Sequence, residues 1–166
     1  MEFEKKVDRL IPPMDYQSRN GFSNIHLINE LTDSEKEDLE CILIEKILYT
    51  DDDKIDALIV ETLAYLKSKK ALPILRDKLI KSSDDMCKLI IASSIYDIDK
   101  KNIDMIDIAI SLVRKIDNIN DAYYVYKLAF TFSYLAKFEV SKINDVIKEY
   151  TKHKEYLVSY NAERFL

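Results

Sequence analysis

Side-chain catalysis needs a nucleophile or a titratable group held against a partner that tunes it. Few residues of this chain are arranged for that. Two histidines are present, His26 and His153, in separate parts of the sequence. Neither sits in an HExxH or CxxC spacing of the kind that binds zinc. Cys41 and Cys87 each fall among apolar helical neighbours, the usual setting of buried free thiols, and two such distant cysteines make no disulfide framework. Asp51, Asp52 and Asp53 are consecutive, but a calcium loop needs alternating oxygen ligands, a central glycine and a terminal glutamate. Ile55 occupies the next alternating position and no glycine follows, so the three acids read as a helix cap and first turn. Asp104 and Asp107 lie one helical turn apart and would face solvent together; a glycosidase pair would also need a cleft and a second element. One glycine in the whole chain excludes a glycine-rich phosphate loop. No catalytic residue, metal ligand or cofactor is therefore assigned, and the chain reads as a non-enzyme.

The chemistry that remains is that of a surface. The formal charge is −5, which argues against general nucleic-acid binding. It is unevenly spread: residues 1–60 hold 15 acidic and 7 basic side chains, and the rest hold 15 acidic and 18 basic. An acidic first third would attract a basic partner. Seven of the 11 tyrosines lie beyond position 120, and tyrosine is enriched where proteins bind each other because it offers area with a polar tip. The candidate partner-binding residues are Glu37, Glu40 and Glu45, Asp104 and Asp107, and Tyr123, Tyr124 and Tyr126.

The elements that must position these residues are helices. Apolar residues make up 48% of the chain, so it can build a core. Hairpins and tight β-turns need glycine, which is nearly absent. A start signal followed by an amphipathic helix recurs near Thr50, Ser83, Asn120 and Lys154, the mark of stacked helical hairpins. Residues 2–10 predict a short helix ended by Pro12-Pro13, and residues 14–22 an extended or looped connection with a turn at Asn20-Gly21. Ser23 or Asn24 would cap a short helix with Ile25, Ile28 and Leu31 facing the core. Thr32 with Glu35 forms a capping box, followed by a stripe of Leu39, Ile42, Leu43, Ile47 and Leu48. Its opposite face carries Glu37, Glu40 and Glu45.

Thr50 and the three aspartates would open the next helix, with Lys67, Lys69 and Lys70 at its C-terminal end. Pro73 then falls in the first turn of a shorter helix. Ser82 to Asp85 cap a helix whose Ala92 and Ser93 permit close approach of a neighbour. Asn102 starts its mate, with Ile103, Ile106, Ala109, Ile110 and Val113 inward. Asn120 would cap DAYYVYKLAFTFSYLAKF, which is apolar almost all round. Residues 156–166 read as a first helix without a mate, serving as a terminal cap.

Residues 51–80, DDDKIDALIVETLAYLKSKKALPILRDKLI, resemble a HEAT-type repeat. The shared habit is an acidic start, an apolar first helix with small residues, a Lys-rich turn, and Ala-Leu-Pro-Ile-Leu opening the second helix. Weaker copies are DDMCKLIIASSIYDI and YLVSYNAERFL. Tetratricopeptide repeats have similar spacing, but their signature is absent and the proline here opens the second helix. The resemblance implies an all-α, right-handed α-α superhelix of about four hairpins, one domain over residues 1–166 with an irregular cap at 1–31. More narrowly, a small acidic chain of such repeats beginning LIPPMDYQSRNGFSNIHLINELTDSEKEDLE resembles immunity proteins of polymorphic-toxin and contact-dependent inhibition systems. That implies a cytoplasmic inhibitor that occludes the active site of a cognate toxin, often a nuclease. Its partner would be a protein, a basic toxin domain, rather than nucleic acid or membrane. The other readings are a general HEAT adaptor and a HEAT-like lyase or DNA glycosylase.

Overall fold

The computed structural model describes residues 2–166, with backbone only for Glu2 and Glu4. Among the described residues there are eleven α-helices and no strand: α1 Glu2–Leu10, α2 Tyr16–Arg19, α3 Ile25–Asn29, α4 Asp33–Tyr49, α5 Ala57–Tyr65, α6 Leu72–Lys81, α7 Asp85–Ile98, α8 Asp104–Ile116, α9 Tyr124–Leu135, α10 Ser141–Tyr150 and α11 Tyr156–Arg164. Short 3₁₀ turns at Lys69–Ala71 and Ala136–Phe138 precede α6 and follow α9.

The all-α expectation holds, and local chemistry explains most boundaries. The Thr32–Glu35 capping box forms as the sequence implies, each side chain meeting the other's backbone N–H. Pro73 sits in the first turn of α6. With glycine nearly absent, two reversals use non-glycine residues in the left-handed region, Lys67 (φ 53°) and Glu139 (φ 52°). After α5 the Ser68 N–H donates to the Leu63 carbonyl and the Lys67 N–H to that of Ala64. This is a Schellman cap built around lysine.

Several expected starts are displaced, before α5 and α8 because the residues read as caps are recruited by distant partners. Thr50 ends α4 rather than opening α5, which is capped by Asp56. Asp52 instead binds Lys78, and Asp53 accepts from the Ser82 and Ser83 hydroxyls and the Ser83 amide. Helix α8 begins at Asp104, since Asn102 accepts from Arg76. Helix α9 begins at Tyr124 after a turn in which Asp121, not Asn120, accepts the Tyr123 N–H. The segment expected to be a loop at 14–22 contains the single turn of α2, capped by Asp15. Ile25, Leu48 and Ile103, expected to face the core, are exposed, as is Cys41, whereas Cys87 is buried.

Helix α7 is the centre. It packs against α5, α6, α8 and α9, and Leu89, Ile91, Ala92, Ser93, Ser94 and Ile95 are fully enclosed. The small residues let the neighbours approach, as their sequence implies. Helices α5, α7, α9 and α11 pack in succession, while α8 contacts both α9 and α10. Polar side chains tie each helix to one roughly a period away. Arg19 binds Asp56, 37 residues on; Asn24 binds Thr62, 38 on; Lys67 binds Asp97, 30 on; Arg76 binds Asp104, 28 on; Arg114 binds Glu149, 35 on. Lys67 Nζ also donates to the Asp97 carbonyl at 2.7 Å, and Lys100 Nζ to the Lys137 carbonyl at 3.1 Å. Each lysine thus serves the C-terminal end of the helix next but one along the chain, α7 for Lys67 and the turn closing α9 for Lys100, where the dipole favours a cation. Lys137 reaches back 76 residues to Glu61 at 2.7 Å, joining the end of α9 to α5 across α7.

Candidate partner-binding surface

The residues singled out from sequence divide between those the fold consumes and those it leaves open. On α4, burial of Leu39, Leu43 and Ile47 turns the opposite face outward, and Glu37 and Glu45 are exposed there. Glu40 is half-buried and accepts from Lys70 at 2.8 Å. Asp104 and Asp107 both face solvent, as their spacing implies, and each also carries an ion pair. Asp104 takes both guanidinium nitrogens of Arg76 from α6, which holds its carboxyl below the usual range. Asp107 takes Lys142 from α10. Both acids tie α8 to its neighbours while their side chains stay 53% and 74% exposed. Tyr124 is also corrected: it is buried, with its hydroxyl 3.5 Å from Glu155.

Tyr123 and Tyr126 stand open. They are 67% and 62% exposed, and Phe130, one turn further, is 67% exposed. The other side of the same helix buries Leu128, Thr131, Phe132 and Leu135. Helix α9 is thus apolar all round because it has two apolar faces, one in the core and one uncovered. Phe130 went unassigned from sequence, although its place seven residues after Tyr123 and four after Tyr126 carries the signal. On α11, which packs beside α9, Tyr156 and Tyr160 are exposed and their rings stack at 5.7 Å.

Several cavities open on the surface of the described residues. The most built is a groove of about 310 Å³ where α3, α5, α7 and the end of α9 meet, walled by Phe22, Ile25, Leu58 and Tyr65 with Glu61, Asp97 and Lys137 at its rim. Its charged groups are paired with each other or with Lys67 and Lys100. Tyr134, nearby, is pushed up to about 12 by burial and the Glu61 charge. His153 accepts the Glu155 N–H and lies 3.8 Å from Asp117, an arrangement that fixes the turn before α11. Among the described residues no group of three or more His, Cys, Asp or Glu side chains is placed to hold a metal ion, and no helix is long and apolar enough to cross a membrane. The chemistry the surface offers is docking through aromatic rings, with carboxylates displayed separately on α4. Compared with protein-family models, with curated proteins and with solved structures, the chain gives no match.

Proposed function

We propose that this chain is a protein-binding helical-repeat module, and in its sharpest form an immunity protein that neutralises a basic toxin domain by covering its active site. The architecture we assign is a right-handed α-α superhelix of the HEAT type, with α5/α6, α7/α8 and α9/α10 as successive hairpins and α11 as the first helix of another. The support is the recurrence of polar ties about one period apart, the nearest-neighbour pattern of stacked repeats. Of the expected cap at 1–31, the described part packs on α5 through Arg19 and Asn24.

The observation that carries the functional reading is the uncovered aromatic face of α9. Folding does not use it, and exposed apolar patches of this kind mark interaction sites. The acidic excess of residues 1–60 favours a basic partner, with Glu37 and Glu45 on α4 adding to its attraction before contact. Neutralisation would take place in the cytoplasm and needs no cofactor. The test is isothermal titration of the full chain against any toxin domain found encoded beside it. Tight 1:1 binding that weakens as salt rises, with loss of toxin activity, is the expected result. Absence of heat at micromolar concentrations would refute the immunity reading. An encoding locus without a toxin gene would favour a general adaptor.

A further inference from the structure

We propose that the turn at 151–155 is an acid-sensitive latch, in which proton uptake by His153 exchanges the bond that holds the start of α11 for an ion pair with Asp117 at the end of α8. The geometry sets the protonation state. The Glu155 N–H donates to His153 Nδ1 at 3.1 Å. A ring nitrogen that accepts carries no proton, so the neutral imidazole holds its proton on Nε2. Nε2 lies 3.8 Å from Oδ1 of Asp117, the C-cap of α8, and the histidine side chain is only 14% exposed. An imidazolium has two donors and no acceptor. Adding a proton therefore sets an N–H of the ring against the Glu155 N–H and breaks that bond, while Nε2–H is drawn to the carboxylate. Histidine is the side chain that gains its charge between about pH 8 and about pH 5, so mild acid is the trigger.

The start of α11 has little else to hold it. The side chain of Glu155, its N-cap, forms no capping bond, and Val158 and Ala162 are its buried residues. A helix of 9 residues does not persist without tertiary contacts. The positive end of its dipole also disfavours a cation placed just before the cap. Titratable groups surround the ring from each packed element. From α8 come Asp117 and Arg114. From α10 come Tyr150, whose ring centre lies 6.1 Å from that of the imidazole, and Glu149, which pairs with Arg114. Arg114 Nη1 also donates to the Tyr150 hydroxyl at 3.2 Å, and Asp117 neighbours the same phenol. From α9 comes Tyr124, its hydroxyl 3.5 Å from Glu155. Lys152 and Lys154 flank the histidine in the chain and are exposed. Helix α11 packs on α9, so the latch stands beside the helix that carries the exposed rings.

The test follows the full chain by nitrogen-15 NMR from about pH 8 to about pH 5, with the exposed His26 as internal control. At the upper end His153 is expected as the Nε2–H tautomer. As its own ring resonances report protonation, the exchange protection of the Glu155 amide is expected to fall roughly three- to tenfold, as for the loss of one hydrogen bond. His153→Asn keeps an acceptor for the amide two residues on but takes up no charge, and is expected to hold that protection constant. Asp117→Asn removes the anion to which the imidazolium turns, and is expected to move the change to lower pH. An Nδ1–H tautomer, constant Glu155 protection while His153 titrates, the same fall in His153→Asn, or an unmoved midpoint in Asp117→Asn would each overturn the inference. The first two readings use the unaltered chain and decide the matter even where a variant fails to fold.

Discussion

Exchanging Asp52 for asparagine is expected to cost more stability than removing its cationic partner, Lys78. Lys78 is the one buried lysine of the described chain, its side chain 8% exposed, and its ammonium donates to Asp52 and to the Thr50 carbonyl. Asp52 is 35% exposed. Asp52→Asn keeps the shape but leaves a cation without a counter-charge where little water reaches it. Breaking a fully buried pair costs about 3–5 kcal/mol; partial exposure of Asp52 reduces the expected cost to roughly 2–3 kcal/mol. Lys78→Met keeps the packed stem, frees Asp52 to turn to solvent and deprives Thr50 of one donor, for about 1 kcal/mol. At roughly 2–4 °C per kcal/mol for a chain of this size, the melting temperature should fall by roughly 5–10 °C for Asp52→Asn and by about 2–4 °C for Lys78→Met. Far-ultraviolet circular dichroism reads both. Thr50 is the C-cap of α4, so hydrogen exchange should quicken in the last turn of that helix, which positions Glu45. An unchanged melting point for Asp52→Asn, or a larger loss for Lys78→Met, would show that stem packing rather than charge pairing holds this junction.

Asp53 is held at about 2, chiefly by the Ser83 and Ser82 hydroxyls, and Glu35 at about 2, chiefly by Lys6. Both carboxylates titrate lower in the fold than when unfolded, so their stabilisation is complete above about pH 5 and is lost as pH falls toward 2. Asp53→Asn should therefore lose less melting temperature over that interval than the parent; parallel curves would contradict the assignment. Glu139→Gly relieves a left-handed residue that carries a Cβ (φ 52°) and should stabilise by about 1 kcal/mol, read as a higher urea midpoint at constant slope. Cys41 is exposed, whereas Cys87 is buried and burial raises its thiol pKa. A disulfide reagent should therefore modify one thiol quickly and the second only on unfolding; two fast thiols would place Cys87 wrongly.

The residues whose identity alone sets a local geometry were legible without the fold. The Thr32–Glu35 box, Pro73 in a first turn and the small Ala92-Ser93 pair behaved as their chemistry dictates, because each acts within one helical turn or directly on its neighbour. The cap residues misread at Thr50 to Asp53 and at Asn102 share a different cause. Aspartate and asparagine serve equally well as a helix cap and as a long-range acceptor. Only the arrival of Lys78, Ser82 and Arg76 from other helices decides between the two uses.

The same division runs through the candidate surface. Sequence by itself determined that this is an all-helical chain with an acidic first third and an aromatic last third. Helical period, glycine scarcity and charge are properties of the chain read in one dimension. Tertiary structure alone decided which polar and aromatic residues remain available. Glu40 was taken up by Lys70 and Tyr124 by the contact with α11, while Asp104 and Asp107 stay exposed beside Arg76 and Lys142. Glu37, Glu45, Tyr123, Tyr126 and Phe130 were left facing out. The physical reason is that a binding surface consists of the groups folding does not consume. Which groups are consumed depends on neighbours about thirty residues away, whose approach no local pattern encodes.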